Sequence, residues 1–259
     1  MPFHNDAEER LYLTRAQQTY ERLKDRYITA SVPFAATVAV GDARPLFADR
    51  PRDGYKAVVE GDLWGMTWQT GWFHLDATVP EAWAGAEVVA WIEISGEGLL
   101  YTPEGVAMQG ITHGSIFDNS ASRPHASLFT ACQGGERVEL WLEAACNGLM
   151  GISPHDFRPP SDPDRLGTWH GYAHHLCLAA VDREVWALRL DLEVLLDLIK
   201  HLPAGSVRRA RILAAVTRCC EVLARDERAY AVARAALAEV MAKRANASDL
   251  PVRAVGHAH

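Results

Sequence analysis

The last nine residues, 251–259, carry the pattern with the most chemical content. They read PVRAVGHAH, a run with β propensity followed by Gly256 and then by His257 and His259. This order is typical of a strand whose end delivers side chains, here imidazoles, to a site. The alternative is a frayed tail that ends in histidine, since chain termini are commonly poorly ordered.

Six further histidines raise the question of a second metal site. Their spacing contains no His-Glu-x-x-His motif and no cysteine partner at a short interval, so we predict surface or hydrogen-bonded core histidines instead. His174 and His175 are neighbours, and their side chains should diverge on any regular element. The six are His113, His125, His155, His170, His174 and His175.

Tryptophan is concentrated in the middle of the chain, and aromatic faces can stack on sugar rings. The competing interpretation is a structural one, because large aromatic side chains bury much apolar area and dominate protein cores. We therefore predict core or interface roles for most of them. The six are Trp64, Trp68, Trp72, Trp83, Trp91 and Trp141.

The elements that must position these side chains begin with a region of period-two alternation, residues 55–151. Val88, Ala90, Ile92 and Ile94 face one way in this pattern, and similar runs begin at residues 73 and 138. Turn-rich segments separate the runs. Short alternating strands between turns indicate two antiparallel sheets packed face to face, a β-sandwich.

Helices and connectors flank the predicted sandwich. Apolar spacing predicts a helix from residue 7 to about 28, with Asn5 as its N-cap, packed on the sandwich or on a neighbouring subunit. Residues 31–52 are predicted to be an extended connector. Residues 152–167 are rich in proline and aspartate and are predicted to be a loop, and 169–181 a strand or extended segment.

Three helices are predicted after residue 182. The first spans about 183–201, the second begins after Ser206 as its N-cap, and the third begins after Asp226. Short connections predict that the three helices pack as antiparallel neighbours.

Composition excludes several classes of protein. A net charge of −7 argues against a general nucleic-acid binder. The charged start MPFHNDAEERL is unlike a signal peptide, and no apolar run is long enough to span a bilayer. Five cysteines, an odd number without a Cys-x-x-Cys motif, predict reduced thiols in a cytoplasmic protein.

Several stretches together resemble glycoside hydrolase family 38, the α-mannosidases, and within it the bacterial and cytosolic branch. These are WQTGWFHLDATVPEAWAGAEVV, then VAMQG, then LWLEAACNGLMG, with SVPFAATVAVGDARPLF before them and DREVWALRLDLEVLLDLIKHLP after them. The C-terminal Gly-His-Ala-His resembles the start of the family's catalytic domain. In the family, this motif continues with an apolar residue and an aspartate.

The resemblance implies a retaining exo-α-mannosidase that acts through two carboxyl groups and a zinc ion held by two histidines and two aspartates. His259 matches the first zinc ligand, whereas His257 matches the motif without being a ligand. One ligand does not make a zinc site. We therefore expect zinc and the α-mannoside substrate to be bound by the full-length protein, and this chain alone to be inactive, with no zinc stably bound.

The resulting fold prediction is α+β: an N-terminal helix, a galactose-binding-like antiparallel β-sandwich, a three-helix segment, and the start of an α/β catalytic domain. Its boundaries are 1–54 for the first helix and connector, 55–151 for the sandwich, 152–182 for a loop and extended connector, 183–246 for the helical segment and 250–259 for the first catalytic strand.

The alternatives to a mannosidase region are a stand-alone carbohydrate-binding sandwich and an oligomerising structural module. For all three, we predict no nucleic-acid partner and no membrane association. A homo-oligomer remains open.

Overall fold

The computed structural model describes residues 6–24, 26–113, 122–147 and 170–244, which form two compact units. One unit, residues 28–182, is a β-sandwich. The other combines the N-terminal helix with the helices that follow residue 182. The predicted N-cap Asn5, the whole of the predicted loop 152–167 and the predicted strand 250–259 lie outside the described residues.

The sandwich consists of two antiparallel sheets. The five-stranded sheet has the order β1-β11-β6-β9, with β4 also paired to β11, and the six-stranded sheet has the order β3-β2-β5-β10-β7-β8. The strands are β1 Ile28–Pro33, β2 Ala35–Gly41, β3 Lys56–Ala57, β4 Leu63–Met66, β5 Thr70–Thr78, β6 Glu87–Ile94, β7 Glu97–Tyr101, β8 Ala107–Thr112, β9 His125–Phe129, β10 Arg137–Ala145 and β11 His170–Val181.

One hydrophobic core lies between the sheets. Phe73, Leu75 and Leu142 enter it from the six-stranded sheet, and Ile92 and Leu176 enter it from the five-stranded sheet. The alternation predicted for β5, β6 and β10 is confirmed, because the predicted core positions of these strands are buried. The prediction of an α+β protein with an antiparallel sandwich is confirmed.

The sandwich extends further along the chain than predicted. The segment 31–52, predicted to be a connector, includes part of β1 and all of β2, and residues 170–181 form a 12-residue strand, β11. β1 pairs with β11 over Ile28↔Val181 to Pro33↔Cys177. These pairings join segments about 150 residues apart. Local periodicity does not reveal such partners, because non-local packing selects them.

The helical unit contains α1 Asp6–Lys24, α2 Arg183–His201, α3 Val207–Arg225, α4 Tyr230–Ala235 and α5 Ala238–Ala242. The predicted bounds of α2 are confirmed, and its buried stripe is Val185, Leu188, Leu192, Leu195, Leu196 and Ile199. The predicted cap of α3 is confirmed too, because Ser206 Oγ accepts a hydrogen bond of 3.2 Å from the Arg209 amide.

The third predicted helix is two short helices, α4 and α5. The amide of Ala236 is shared between the carbonyls of Val232 and Ala233, and that of Leu237 donates to the carbonyl of Arg234, three residues back, which interrupts the regular α-helical pattern. The packing expected for α1 also needs correction. This helix packs against α2 and α3, which places it in the helical unit of the same chain.

All five cysteines are unpaired and buried, in agreement with the predicted reduced thiols. Burial raises the pKa of Cys146, Cys177 and Cys219 to about 12. Since the thiolate is the reactive form of cysteine, these thiols are expected to be inert packing groups in the folded protein.

Candidate functional site

The outer face of the six-stranded sheet carries a cluster of aromatic and charged side chains. β5 and β10 are paired in register with Trp141 opposite His74, so these two side chains lie next to each other on the face opposite the core. Their ring centroids are 4.4 Å apart. The segment that follows β2 crosses this face and adds Arg50 and Tyr55, which completes a cleft of about 560 Å³.

Arg50 is held in place by aromatic rings. Its guanidinium carbon lies 4.1 Å from the centre of the Phe47 ring and 4.2 Å from that of the Trp141 ring. Its Nη1 donates a 2.8 Å hydrogen bond to the Phe47 carbonyl. Cation–π contacts and this hydrogen bond leave the guanidinium little freedom, and we call the cavity beside it the Arg50 cleft.

Hydrogen bonds orient the other polar groups of the Arg50 cleft. His74 Nε2 lies 3.0 Å from Glu139 Oε1. Tyr55 donates its hydroxyl to the Pro51 carbonyl at 2.9 Å, and burial raises the pKa of this tyrosine. Among the described residues, the lining contains no aspartate or glutamate. The cleft therefore suits binding of a small polar ligand rather than hydrolysis by a carboxylate pair.

The outer face of the five-stranded sheet carries a second cluster, formed by Glu60, Glu93, His113, His174 and His175. We call it the histidine cluster. Glu93 lies between two imidazoles, 3.6 Å from His113 Nδ1 and 3.9 Å from His175 Nε2. His175 Nδ1 is also 3.6 Å from a Glu60 oxygen. The rings of His113 and His174 are stacked, with centroids 5.2 Å apart.

The expectation that His174 and His175 diverge is wrong. The pairing of β11 with β6 shifts register between Ala173 and His175, so one extra residue is accommodated. Ala173 and Leu176 both point into the core, three positions apart instead of two. Both histidines between them therefore lie outside the core, as expected at a β-bulge. The signal for this feature was present in the sequence, because the apolar alternation breaks at this histidine pair.

Burial lowers the pKa of His174 below the ordinary value of 6.5. Glu93 raises this pKa, and His113 and His175 lower it. The side chain also contacts the ring of Tyr172, and its Nε2 lies 3.2 Å from Ser95 Oγ. The folded protein therefore favours the neutral form of His174 relative to the unfolded chain.

This pKa shift predicts that protonation of His174 destabilises the protein. A folded-state pKa below the unfolded value means that the stabilising contribution is fully present above pH 6.5 and is lost as the pH falls through the folded-state pKa. His174→Gln is expected to reduce the fall of the urea unfolding midpoint between about pH 7.5 and pH 5.5. Equal pH dependence in wild type and His174→Gln would contradict the prediction.

The six tryptophans named in the sequence analysis divide into three groups. Trp64 and Trp72 are buried, as predicted, and Trp83 packs against the core. Trp91 and Trp141 are half-buried on the outer faces of the sheets, where Trp91 contacts His175 at 3.8 Å between ring centroids. Trp68 departs from the prediction of a core role: it is 47% exposed, with a positive φ of 69°.

The predicted zinc ligand His259 lies outside the described residues, as does His257. Among the residues that are described, no group of three or more His, Cys, Asp or Glu side chains is arranged to hold a metal ion. Within the same ranges, none of the helices combines the length and hydropathy that a bilayer-spanning segment requires.

Residues 32–170 match the family model described as "Alpha-mannosidase, jelly roll domain". That range covers more than half of the 259 residues. The chain belongs to this family. The match includes the whole Arg50 cleft, together with Glu60, Glu93 and His113 of the histidine cluster.

Individual α-mannosidases are similar over most of this chain. Human alpha-mannosidase 2C1 is 29% identical over 244 residues, which are 92% of this chain and 22% of the human protein. Alpha-mannosidase G of Dictyostelium discoideum is 28% identical over 212 residues, 79% of this chain and 18% of that protein. The chain therefore spans about a fifth of the length of the relatives it matches.

Membership of the jelly roll family accounts for the two-sheet architecture, but it assigns no role to the Arg50 cleft or to the histidine cluster. The Arg50 cleft is the better candidate for ligand binding, because its groups are held in place around an open cavity. Neither cluster was predicted, since each depends on residues brought together from separate strands.

Proposed function

We propose that this chain is the N-terminal, non-catalytic region of a zinc-dependent retaining exo-α-mannosidase of glycoside hydrolase family 38. The whole protein would hydrolyse terminal α-mannosides in glycan catabolism, in the cytoplasm. The observation that carries the proposal is the match of residues 32–170 to the alpha-mannosidase jelly roll domain. Similarity to human alpha-mannosidase 2C1 over 92% of the chain supports it.

The zinc part of the proposal rests on the C-terminal Gly-His-Ala-His and its resemblance to the family motif. The described residues supply no ligand set for the ion. In the whole protein, His259 would be one ligand of the zinc ion, which would act as a Lewis acid towards hydroxyl groups of the sugar. The cytoplasmic assignment draws support from the five unpaired cysteines.

An assay of aryl α-mannoside hydrolysis tests the proposal. The 259-residue chain is expected to show no turnover with or without added zinc, and a longer gene product that continues past His259 is expected to be active. Among the described residues, the lining of the Arg50 cleft contains no pair of carboxyl groups of the kind that most glycoside hydrolases use. Turnover by the 259-residue chain would refute the non-catalytic assignment, and an inactive longer product would refute the mannosidase assignment.

A carbohydrate-binding sandwich is the second candidate function, and the Arg50 cleft favours it. The cleft combines an indole, an imidazole, a phenol and a guanidinium, groups that pack on and hydrogen-bond to polar ligands. Against a sugar-stacking role, Arg50 and His74 already lie against the ring of Trp141.

We therefore predict weak or no binding of mannosides by this chain. The measurement is calorimetry with methyl α-mannoside, with methyl α-galactoside as the ligand control. Among the described residues, Trp68 is the exposed tryptophan and is therefore the indole best placed to stack on a sugar, so Trp68→Ala is the informative variant. Micromolar affinity that disappears in Trp68→Ala would contradict the prediction and favour the binding-module function.

A further inference from the structure

A groove lies between α1 and α3 in the helical unit. It encloses about 760 Å³ and runs along α1 from Leu11 to Arg26, just beyond the end of the helix. The facing wall is formed by the last turns of α3, from Cys220 onward, and by Glu227. The function proposed above does not involve this surface, which we call the arginine groove.

Charge distinguishes the arginine groove from the rest of the chain. Arg15, Arg22, Arg26 and Arg225 line it, and Glu227 is the one carboxylate among the lining residues that the structure describes. The protein as a whole carries a net charge of −7. A basic concavity on an acidic protein concentrates positive potential at one place, because low-dielectric walls focus the field of the charges.

Most of this positive charge lacks an acidic partner. Arg26 pairs with Glu227 at 3.1 Å. Arg22 donates a 3.1 Å hydrogen bond to the hydroxyl of Thr19, a neutral group. Within the described ranges, no ion pair involves Arg15, Arg22 or Arg225. Three guanidinium groups are therefore available to an anionic ligand.

The shape and floor of the groove indicate the kind of anion. Arg15 and Arg22 are seven residues apart on α1, which separates their backbone positions by roughly 10 Å along the helix at 1.5 Å per residue. Leu23 and Cys220 form an apolar floor, and Leu11 is 66% exposed at one end. A phosphate or a sugar-phosphate backbone would leave these apolar positions uncovered, whereas an amphipathic segment would contact them.

We propose that the arginine groove docks an acidic amphipathic segment of a partner protein. The carboxylates of the segment would pair with Arg15, Arg22 and Arg225, and its apolar side chains would cover Leu11, Leu23 and Leu223. Two helices that flank a groove with an apolar floor are the usual receptor for a third, amphipathic helix. Charge complementarity selects an acidic helix over a basic one.

Fluorescence anisotropy with the 259-residue chain tests the proposal. The probe is a labelled peptide of about 16 residues, long enough to follow the groove, with glutamate on one helical face and leucine on the other. The peptide is expected to bind, more weakly as salt is raised. The triple variant Arg15→Gln, Arg22→Gln, Arg225→Gln should raise its Kd by about tenfold or more. Arg44→Gln, which changes an exposed arginine of the sandwich, is the matched control and should leave the Kd unchanged.

Several outcomes would overturn the proposal. The first is that the acidic peptide does not bind, and the second is that a peptide with lysine in place of glutamate binds equally well. The third is that the Kd is unchanged in the triple variant although circular dichroism shows that this variant is folded. If an oligonucleotide displaces the labelled peptide at a lower concentration than the unlabelled peptide does, that result would assign the groove to nucleic acid. Self-association of the chain that disappears in the triple variant would assign it to a second copy. Aryl-mannoside turnover by the longer product is a separate readout, so failure here leaves the proposed function standing.

Discussion

In a gene product that continues past residue 259, His259→Ala is expected to abolish hydrolysis of an aryl α-mannoside. The C-terminal Gly-His-Ala-His resembles the start of the zinc motif of family 38, in which the second histidine is a ligand. Loss of outer-shell partners of a metal ligand already costs 10–100-fold in affinity or activity. Loss of a ligand itself should therefore reduce turnover by more than about 100-fold.

His257→Ala is the matched control, because His257 belongs to the same motif but is not a ligand in the resemblance. It should retain bound zinc and most of the turnover. Zinc content, measured by atomic absorption after dialysis, provides a readout that does not depend on activity, and it should fall in His259→Ala alone. Full activity or full zinc content in His259→Ala would refute the assignment of this residue.

Gly96→Ala is expected to destabilise the sandwich by more than about 3 kcal/mol, the upper range for residues forced into strained backbone conformations. Gly96 follows β6 and has a φ of 129°, a region that is essentially restricted to glycine. A Cβ at this position would also overlap the backbone carbonyl oxygen of Ala145 at the end of β10. The obstacle is backbone rather than a flexible side chain, so the clash cannot be relieved by a rotamer change.

Two controls separate the causes of this loss. Gly85 has a φ of 85°, but a Cβ added there would meet nothing within 4 Å. Gly41 has neither a positive φ nor a close neighbour. We expect a loss of about 1 kcal/mol for Gly85→Ala and less for Gly41→Ala. Urea unfolding followed by tryptophan fluorescence reports the sandwich, because seven of the eight tryptophans lie between residues 28 and 182. Equal losses for Gly96→Ala and Gly85→Ala would show that the overlap with Ala145 is unimportant.

Neither the Arg50 cleft nor the histidine cluster follows from local patterns in the sequence. Trp141 and Glu139 were assigned to a strand by the alternation of β10, but their neighbours depend on register. The pairing of Trp141 with His74 follows from the antiparallel register of β10 and β5, which are about 65 residues apart. Arg50 reaches the same place from an irregular segment, for which periodicity offers no rule.

The histidine cluster was missed for a related reason. On a regular strand, neighbouring side chains point to opposite faces. The bulge at residues 173–175 places His174 and His175 on the same side as Glu93, and this local break in pairing assembles the cluster. A bulge is stabilised by the fit of the whole sheet and by the buried positions of Ala173 and Leu176.

Features that depend on near neighbours in the chain were determined by the sequence itself. The spacing of leucines in α2, the Ser206 cap of α3 and the alternation of β5, β6 and β10 each reflect hydrogen bonds and side-chain positions within a few residues. The resemblance to the α-mannosidases was also a property of the sequence, because order and spacing along the chain carry it. The tertiary structure alone decided which distant segments meet: β1 with β11, Arg50 with Trp141, and Arg15 and Arg22 of α1 with Arg225 of α3. Such contacts are selected by burial and packing of the whole fold, which no local propensity encodes.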